Sequence, residues 1–279
     1  MALVAFRMEA AAIAEEDVVT ALWELGTTGI HVQPGPPGAV LLVAYFPDGP
    51  GLADALRSGL AAHGVREVEP AEIPDVDWVA RFREGFRSFA VGGFTLAPAW
   101  EPTPVGPCPT RLLRILPGRA FGTGTHESTR LCLLALESLA ARHPLGRVLD
   151  VGGGTGILAI AAAVLGAGPV AAVDIDPDAV ESAREHARLN AVDLHLVRGD
   201  GGAPFAREGF DLVLANLTAP LLLEKRDEIA GLCAPSAIVV LAGFLREDAG
   251  RIAEAYSGLG AVSVSVDGEW AALVIERRA

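Results

Sequence analysis

The stretch that most constrains this chain runs from Arg147 to Asp176, RVLDVGGGTGILAIAAAVLGAGPVAAVDID. Val148 to Val151 has strand character and leads into Gly152, Gly153, Gly154 and Gly156. An alanine-rich helical run follows, then Gly166 to Pro169, then a second apolar strand ending at Asp174. That order predicts one βαβ unit whose loop and helix start can hold a nucleotide-like ligand. Glycines let the backbone approach a ligand with no Cβ in the way, and a carboxylate at the end of the second strand is placed to accept both ribose hydroxyls. Gly152, Gly154 and Asp174 are therefore candidate cofactor contacts.

The spacing bears on which cofactor. Gly152, Gly154 and Gly156 give G-x-G-x-G, whereas the third glycine of the dinucleotide pattern G-x-G-x-x-G falls on Ile157. A pyrophosphate needs the close approach and helix N-terminus of the longer pattern. S-adenosylmethionine carries no phosphate and needs only glycine-floored room for its methionyl part, with Asp150 near its ammonium. Two plainer readings compete. Val151 to Val173 lacks charge and is long enough for a membrane span of about 20 residues, but Gly166, Gly168 and Pro169 interrupt it. Glycines that merely ease packing would not require the two carboxylates of Asp174-Ile175-Asp176, which are costly at the end of an apolar strand unless used.

A chain of 279 residues with 51% hydrophobic content supports one large domain or two smaller ones. The formal net charge of -13 argues against binding a phosphate backbone and favours a basic protein partner. Cys108, Cys132 and Cys233 are too few and too scattered for a disulfide framework, and the six histidines form no ligand cluster, so no metal site is predicted. Charges from Arg7 to Asp17 leave no apolar core of a signal peptide. A cytoplasmic enzyme working as a single copy, with no membrane or direct nucleic-acid partner, is the expectation.

Residues 2–8 read as a strand, Glu15 to Leu25 as a helix, Ile30 to Val32 and Ala39 to Phe46 as strands, Leu52 to Ala62 as a helix, and Val65 to Ile73 as a strand. This is the order of a split βαβ module, so residues 1–73 are expected to fold separately. Residues 74–109 read as a connector, with a helix over Asp75 to Phe86 presenting Trp78, Phe82 and Phe86 as a packing stripe, and a stiff segment carrying four prolines from Pro102 to Pro109. Phe89 to Ala97 and Arg111 to Leu116 read as strands around that segment. Residues 110–279 form the second expected domain.

Phe121 to Thr129, FGTGTHEST, precedes an apolar helical run from Leu131 to Ala140. It can be an ordinary capped loop, or a set of hydroxyls and N–H groups at a positive helix end, suited to a ligand carboxylate. After Asp174 the pattern repeats: a helix from Asp176-Pro177 to Asn190, a strand from Leu194 to Arg198 ending at Gly199-Asp200, and a strand from Phe210 to Ala215 ending at Asn216-Leu217-Thr218-Ala219-Pro220. A helix from Leu221 to Leu232, a strand from Ala237 to Leu241, a helix from Arg246 to Gly258 and a terminal strand pair, Val262 to Val266 and Trp270 to Glu276, complete it. Alternation of this kind predicts an α/β, parallel, doubly wound sheet with ligands at the carboxyl ends of its strands. Asp174, Asp200 and Asn216 fall at such ends, and the Asp200 carboxylate is placed to meet an adenine amino group.

With FGTGTHESTRLCL, VLDVGGGTGILAIAA, VDIDPDAV and ANLTAP in this order, the chain resembles the methyltransferases of ribosomal protein L11 (PrmA type). Trp78, Pro98-Ala99-Trp100 and Trp270 extend the resemblance over most of the length. It implies a small N-terminal substrate-recognition domain of α+β, ferredoxin-like type, a linker, and a class I methyltransferase domain with a Rossmann-like sheet. It further implies that S-adenosylmethionine is bound and that amino groups of the basic ribosomal protein, on lysine side chains or its N-terminus, are methylated. Carried over by motif position, Thr129, Gly152, Asp174 and Asn216 would contact the cofactor.

The chain departs from that pattern at Leu116-Pro117-Gly118, Glu127-Ser128, Gly153 and Leu217-Thr218, which leaves substrate identity open. Methylation of another protein's lysines or of a small amine is the alternative within this chemistry, and a nucleotide-dependent oxidoreductase the alternative outside it. The Asn216 carbonyl is a candidate for orienting the acceptor amine, and no residue is identified as a general base.

Overall fold

The structure is a computed structural model that describes residues 3–65, 67–71, 86–102, 111–116 and 122–277. The chain divides into two compact units, Met1–Trp78 and Val79–Ala279. The expected connector helix over residues 75–86 lies, except for Phe86, outside the described residues, as does the proline-rich segment from residue 103 onward.

The first unit comprises β1 (Leu3–Ala11), α1 (Glu15–Glu24), β2 (Gly29–Pro34), β3 (Ala39–Pro47), α2 (Leu52–Leu60) and β4 (Val68–Ala71). Its four-stranded sheet has the order β2-β3-β1-β4, antiparallel at every pairing. Alternation places Phe6, Met8 and Ala10 of β1 and Leu42, Ala44 and Phe46 of β3 on one buried face. Leu56 and Leu60 of α2, one helical turn apart, cover that face. The order strand, helix, strand, strand, helix, strand is that of a split βαβ module.

The second unit opens with β5 (Phe89–Val91), β6 (Phe94–Pro98) and β7 (Arg111–Ile115), a sheet of three strands with β6 parallel to β7. The single strand expected over Phe89 to Ala97 is instead a hairpin turned at Gly92-Gly93. The Glu137 carboxylate accepts from the Gly93 N–H at 2.9 and 3.0 Å, a bond that an uninterrupted strand would not leave free. The β7 backbone is held by Asn190, whose Oδ1 accepts from Arg114 N at 2.6 Å and whose Nδ2 donates to Arg114 O at 2.9 Å.

The remainder builds one large sheet. In chain order it contains α3 (Glu127–Ala140), β8 (Val148–Val151), α4 (Ile157–Val164), β9 (Val170–Asp174), α5 (Pro177–Leu189), β10 (His195–Arg198), β11 (Phe210–Asn216), α6 (Ala219–Glu224), α7 (Arg226–Leu232), β12 (Cys233–Leu245), α8 (Ala249–Tyr256), β13 (Gly260–Asp267) and β14 (Trp270–Arg277). The seven strands run β10-β9-β8-β11-β12-β14-β13. The first five are parallel, and β14 enters antiparallel between β12 and β13. Buried on both faces, β8 and β9 need mostly apolar runs rather than alternation; Val148, Leu149 and Val151 are buried accordingly, and so is the Asp150 carboxyl between them.

Helices cover both sides. Leu131, Leu133 and Leu136 of α3 and Ile157 to Ala162 of α4 pack on one face; Leu222, Ile229, Ile252 and Tyr256 pack on the other. The helix expected over Leu221 to Leu232 divides into α6 and α7 at Lys225, and that expected over Arg246 to Gly258 starts as a 3-10 turn, Arg246–Asp248. The strand expected over Ala237 to Leu241 runs from Cys233 to Leu245. The chain is an α/β protein with a class I methyltransferase sheet, and strand order reverses between β8 and β11, where such sheets open a crevice.

Candidate active site

A cavity of about 560 Å³ opens at that crevice. Its wall takes residues from the carboxyl ends of the five parallel strands and the amino end of antiparallel β14, in sheet order: Asp200 after β10, Asp174 at the end of β9, Gly152 after β8, Asn216 at the end of β11, Gly243 in β12, and Trp270 at the start of β14. Five strand spacings of roughly 4.8 Å make this trough about 24 Å long. Three carboxylates, Asp174, Asp176 and Asp200, gather at one end, and His126 and Trp270 at the other.

The glycine loop is fixed by the carboxylate that follows it. Asp174 Oδ2 accepts from Gly154 N at 2.9 Å and Oδ1 from Asp176 N at 3.0 Å, so the side chain is oriented while each oxygen retains accepting capacity. Gly152 has φ +73°, and a Cβ there would meet the Leu217 side chain at 2.5 Å. A second pin crosses to the loop ahead of α3: Thr155 Oγ1 donates to Gly122 O at 2.6 Å. Ile157, standing where a dinucleotide site needs glycine, is buried in the core. The floor is glycine-lined without the third glycine that a pyrophosphate requires.

Asp150, beneath the loop, is buried; its Oδ2 accepts from Ala159 N at 3.2 Å, and its Oδ1 has no hydrogen-bond partner among the described residues. Burial first, then the neighbouring Asp174 charge, pushes its carboxyl up to about 7. Asn216 Oδ1 is likewise buried without a partner, while Asn216 Nδ2 donates to Thr129 Oγ1 at 3.4 Å. Thr129 is fully buried and stands behind Asn216 instead of facing the cavity. Asp200, two-thirds exposed, is held at Oδ1 by Lys225 Nζ at 2.6 Å. That hydrogen bond raises the Lys225 pKa above its ordinary value.

Of the residues singled out in the sequence, Gly152, Gly154, Asp174, Asp200 and Asn216 line one cavity and Thr129 supports it. Lys225, Gly243 and the pairing of His126 with Trp270 were not foreseen. Gly243 did carry a signal: an isolated glycine inside an apolar strand marks a bulge or a close approach. The register between β12 and β14 shifts at this residue, whose φ is +91°, and a Cβ there would lie 2.6 Å from Leu217 O and 2.8 Å from Asn216 Oδ1. No cluster of side chains suited to a metal occurs among the described residues, and no helix among them is long and apolar enough to cross a membrane.

These features fit S-adenosylmethionine: a glycine floor without pyrophosphate geometry, paired carboxylate oxygens at the end of β9, and a largely apolar wall with its carboxylates gathered at one end. Fold and cavity together define a class I, S-adenosylmethionine-dependent methyltransferase. The family model described as ribosomal protein L11 methyltransferase (PrmA) matches residues 4–278. Ribosomal protein L11 methyltransferase of Geobacter sulfurreducens is 43% identical over 205 residues, covering 72% of this chain and 67% of its own. The Myxococcus xanthus protein of that name is 36% identical over 280 residues and 95% of each chain. The crystal structure of a ribosomal protein L11 methylase from Lactobacillus delbrueckii subsp. bulgaricus is similar at TM-score 0.63 and 32% identity, over 70% of this chain and 100% of that one. The chain belongs to the ribosomal protein L11 methyltransferase family.

Proposed function

We propose that this protein transfers methyl groups from S-adenosylmethionine to amino groups of ribosomal protein L11, on lysine side chains, the N-terminus or both. What supports this reading most is Asn216 Oδ1, a buried acceptor without a partner among the described residues, on the cavity wall beside Gly243, where a Cβ would approach it to 2.8 Å. Orphaned acceptors of this kind are rare in folded proteins, and an incoming N–H donor satisfies one. The donor, when bound, supplies a methyl group on a sulfonium, ready for in-line displacement.

Within this reading, the Asp174 carboxylate holds the ribose hydroxyls, and Gly152 and Gly154 floor the methionyl part. Asp200, steadied by Lys225, faces the adenine edge. Thr129 fixes the Asn216 amide so that Oδ1 is left for the acceptor. The amine must be neutral to react. For a lysine near pKa 10.4, losing the proton at pH 7 costs about 4.6 kcal/mol, against about 1 kcal/mol for an α-amino group. Desolvation in the cavity lowers a lysine pKa and offsets part of that cost.

In this reading residues 1–73 serve as the substrate-recognition domain, and the link expected over residues 74–109 is confined to the stretch before Phe89, where the strands of the second unit begin. A net charge of -13 favours a basic protein as its partner, and the cytoplasm, where ribosomes are assembled, is the place of action. Transfer of labelled methyl groups to purified ribosomal protein L11 tests the reading. Saturating S-adenosylmethionine without transfer rejects that substrate. Deleting residues 1–73 separates the alternatives, since an enzyme acting on small amines retains its turnover and one that docks a protein loses it.

A further inference from the structure

We propose that Arg130 is a positioning residue: it ties the turn ahead of α3 to the tip of the β13–β14 hairpin and so sets the His126–Trp270 pair that walls the acceptor end of the cavity. This rests on the reading that the amine is received at that end, beside Asn216.

The guanidinium joins two segments that are remote in sequence. Its Nε and Nη2 donate to Asp267 Oδ2 at 3.0 and 2.6 Å, its Nη1 donates to Thr125 O at 2.9 Å, and its Nη2 lies 3.4 Å from Glu127 Oε1. Each anchor adjoins a cavity-lining ring. Thr125 immediately precedes His126, and Asp267 is the direct cross-strand partner of Trp270 across the hairpin turn. The rings meet edge to face, with centroids 4.3 Å apart and an interplanar angle of 72°. His126 Nδ1 accepts from Ser128 N at 3.2 Å, which sets its imidazole against the start of α3.

A half-exposed ion pair contributes little to stability by itself. The effect of this one lies in geometry. Three directed donors on a planar fork fix the separation of the two backbone segments, and with it the spacing of the two rings. The arrangement leaves the carboxylate end of the trough untouched, so its loss acts on the acceptor and not on the cofactor.

The test uses the full-length protein with Arg130→Gln, Arg130→Lys and the exchange Arg130→Asp/Asp267→Arg. Three quantities are read: S-adenosylhomocysteine affinity by calorimetry, kcat and KM for methyl transfer to purified ribosomal protein L11, and the His126 ring proton shifts by NMR, which report its distance from the indole. Arg130→Gln is expected to keep S-adenosylhomocysteine affinity within about twofold, to move the His126 shifts, and to lower kcat/KM for the acceptor roughly 10- to 100-fold, the scale of a misplacement near 1 Å. Arg130→Lys, which keeps a donor between the two anchors, is expected to recover part of both losses, and the exchange, which restores the 130–267 ion pair but leaves Thr125 O without its donor from position 130, is expected to recover less. Unchanged transfer or unchanged His126 shifts in Arg130→Gln would overturn the proposal, as would a parallel loss of S-adenosylhomocysteine binding. Failure of the acceptor reading itself shows earlier, as absence of transfer by the unaltered protein, and removes the proposal with it.

Discussion

The Asp174 carboxylate reaches back to the loop at the head of its own βαβ unit and accepts from the Gly154 N–H at 2.9 Å. One side chain thereby shapes the glycine floor and presents accepting oxygens to the cavity. Asp174→Ala removes both functions. Hydrogen bonds to a charged group contribute about 1.5–3 kcal/mol each, so calorimetry should show S-adenosylhomocysteine binding weakened by roughly 100-fold or more. Affinity within about threefold of the unaltered protein would place the ribose elsewhere.

Asn216 should separate binding from chemistry. Removing its amide with Asn216→Ala is expected to lower kcat for methyl transfer by roughly 100-fold, the scale of losing one oriented polar group at a reacting centre. Affinity for S-adenosylhomocysteine should fall by much less. Thr129→Val, which deletes the acceptor of the Asn216 Nδ2 bond, should show the same split in weaker form. Steady-state kinetics beside calorimetry decides the matter, and equal losses in both would make Asn216 a cofactor ligand alone.

Gly243→Ala places a methyl group where 2.6 Å separates it from Leu217 O and 2.8 Å from Asn216 Oδ1, at a residue with φ +91°. Strain from the backbone conformation alone is about 1–2 kcal/mol. The variant should melt several degrees lower and lose methyl transfer through the displaced Asn216. A variant with unaltered Tm and turnover would show that the bulge tolerates a Cβ.

Asp150 sets a dependence of stability on pH. Its carboxyl is pushed up to about 7 by burial, above the ordinary value of 3.8 for the unfolded chain. The folded state therefore binds the extra proton between those values, and the stability this group contributes is full below about 4 and lost as pH rises through about 7. Asp150→Asn keeps an acceptor for the Ala159 N–H and cannot ionise. Urea unfolding should show the unaltered protein losing a few kcal/mol relative to Asp150→Asn between pH 4 and pH 8, on the order set by the shift. Parallel curves over that range would contradict the assignment.

Much of the large sheet was legible because central parallel strands buried on both faces leave mostly apolar runs, and those of β9 and β11 ended at Asp174 and Asn216; Asp200 was placed by the β-α alternation alone, since the edge strand β10 before it is not buried. Departures had two origins. Gly92-Gly93 was a local signal, a glycine pair of the kind that closes two-residue hairpins, and Glu137 adds a bond to the turn by accepting from the Gly93 N–H; the others involve partners distant in sequence. One expected helix divides into two at Lys225, whose ammonium group is engaged by Asp200. His126 and Trp270 are 144 residues apart in number, and only the order β12-β14-β13, which local periodicity does not encode, brings them together.

Every role assigned above depends on the crevice between β8 and β11 holding S-adenosylmethionine and delivering its methyl group to ribosomal protein L11. Intact-mass spectrometry of purified ribosomal protein L11, incubated with this protein and S-adenosylmethionine, tests this most directly. Stepwise addition of methyl groups is expected, mapped by peptide fragmentation to amino groups, with much slower addition by Asp174→Ala at the same S-adenosylmethionine concentration. An unshifted mass with the unaltered protein, or methylation that persists undiminished in Asp174→Ala, would contradict it.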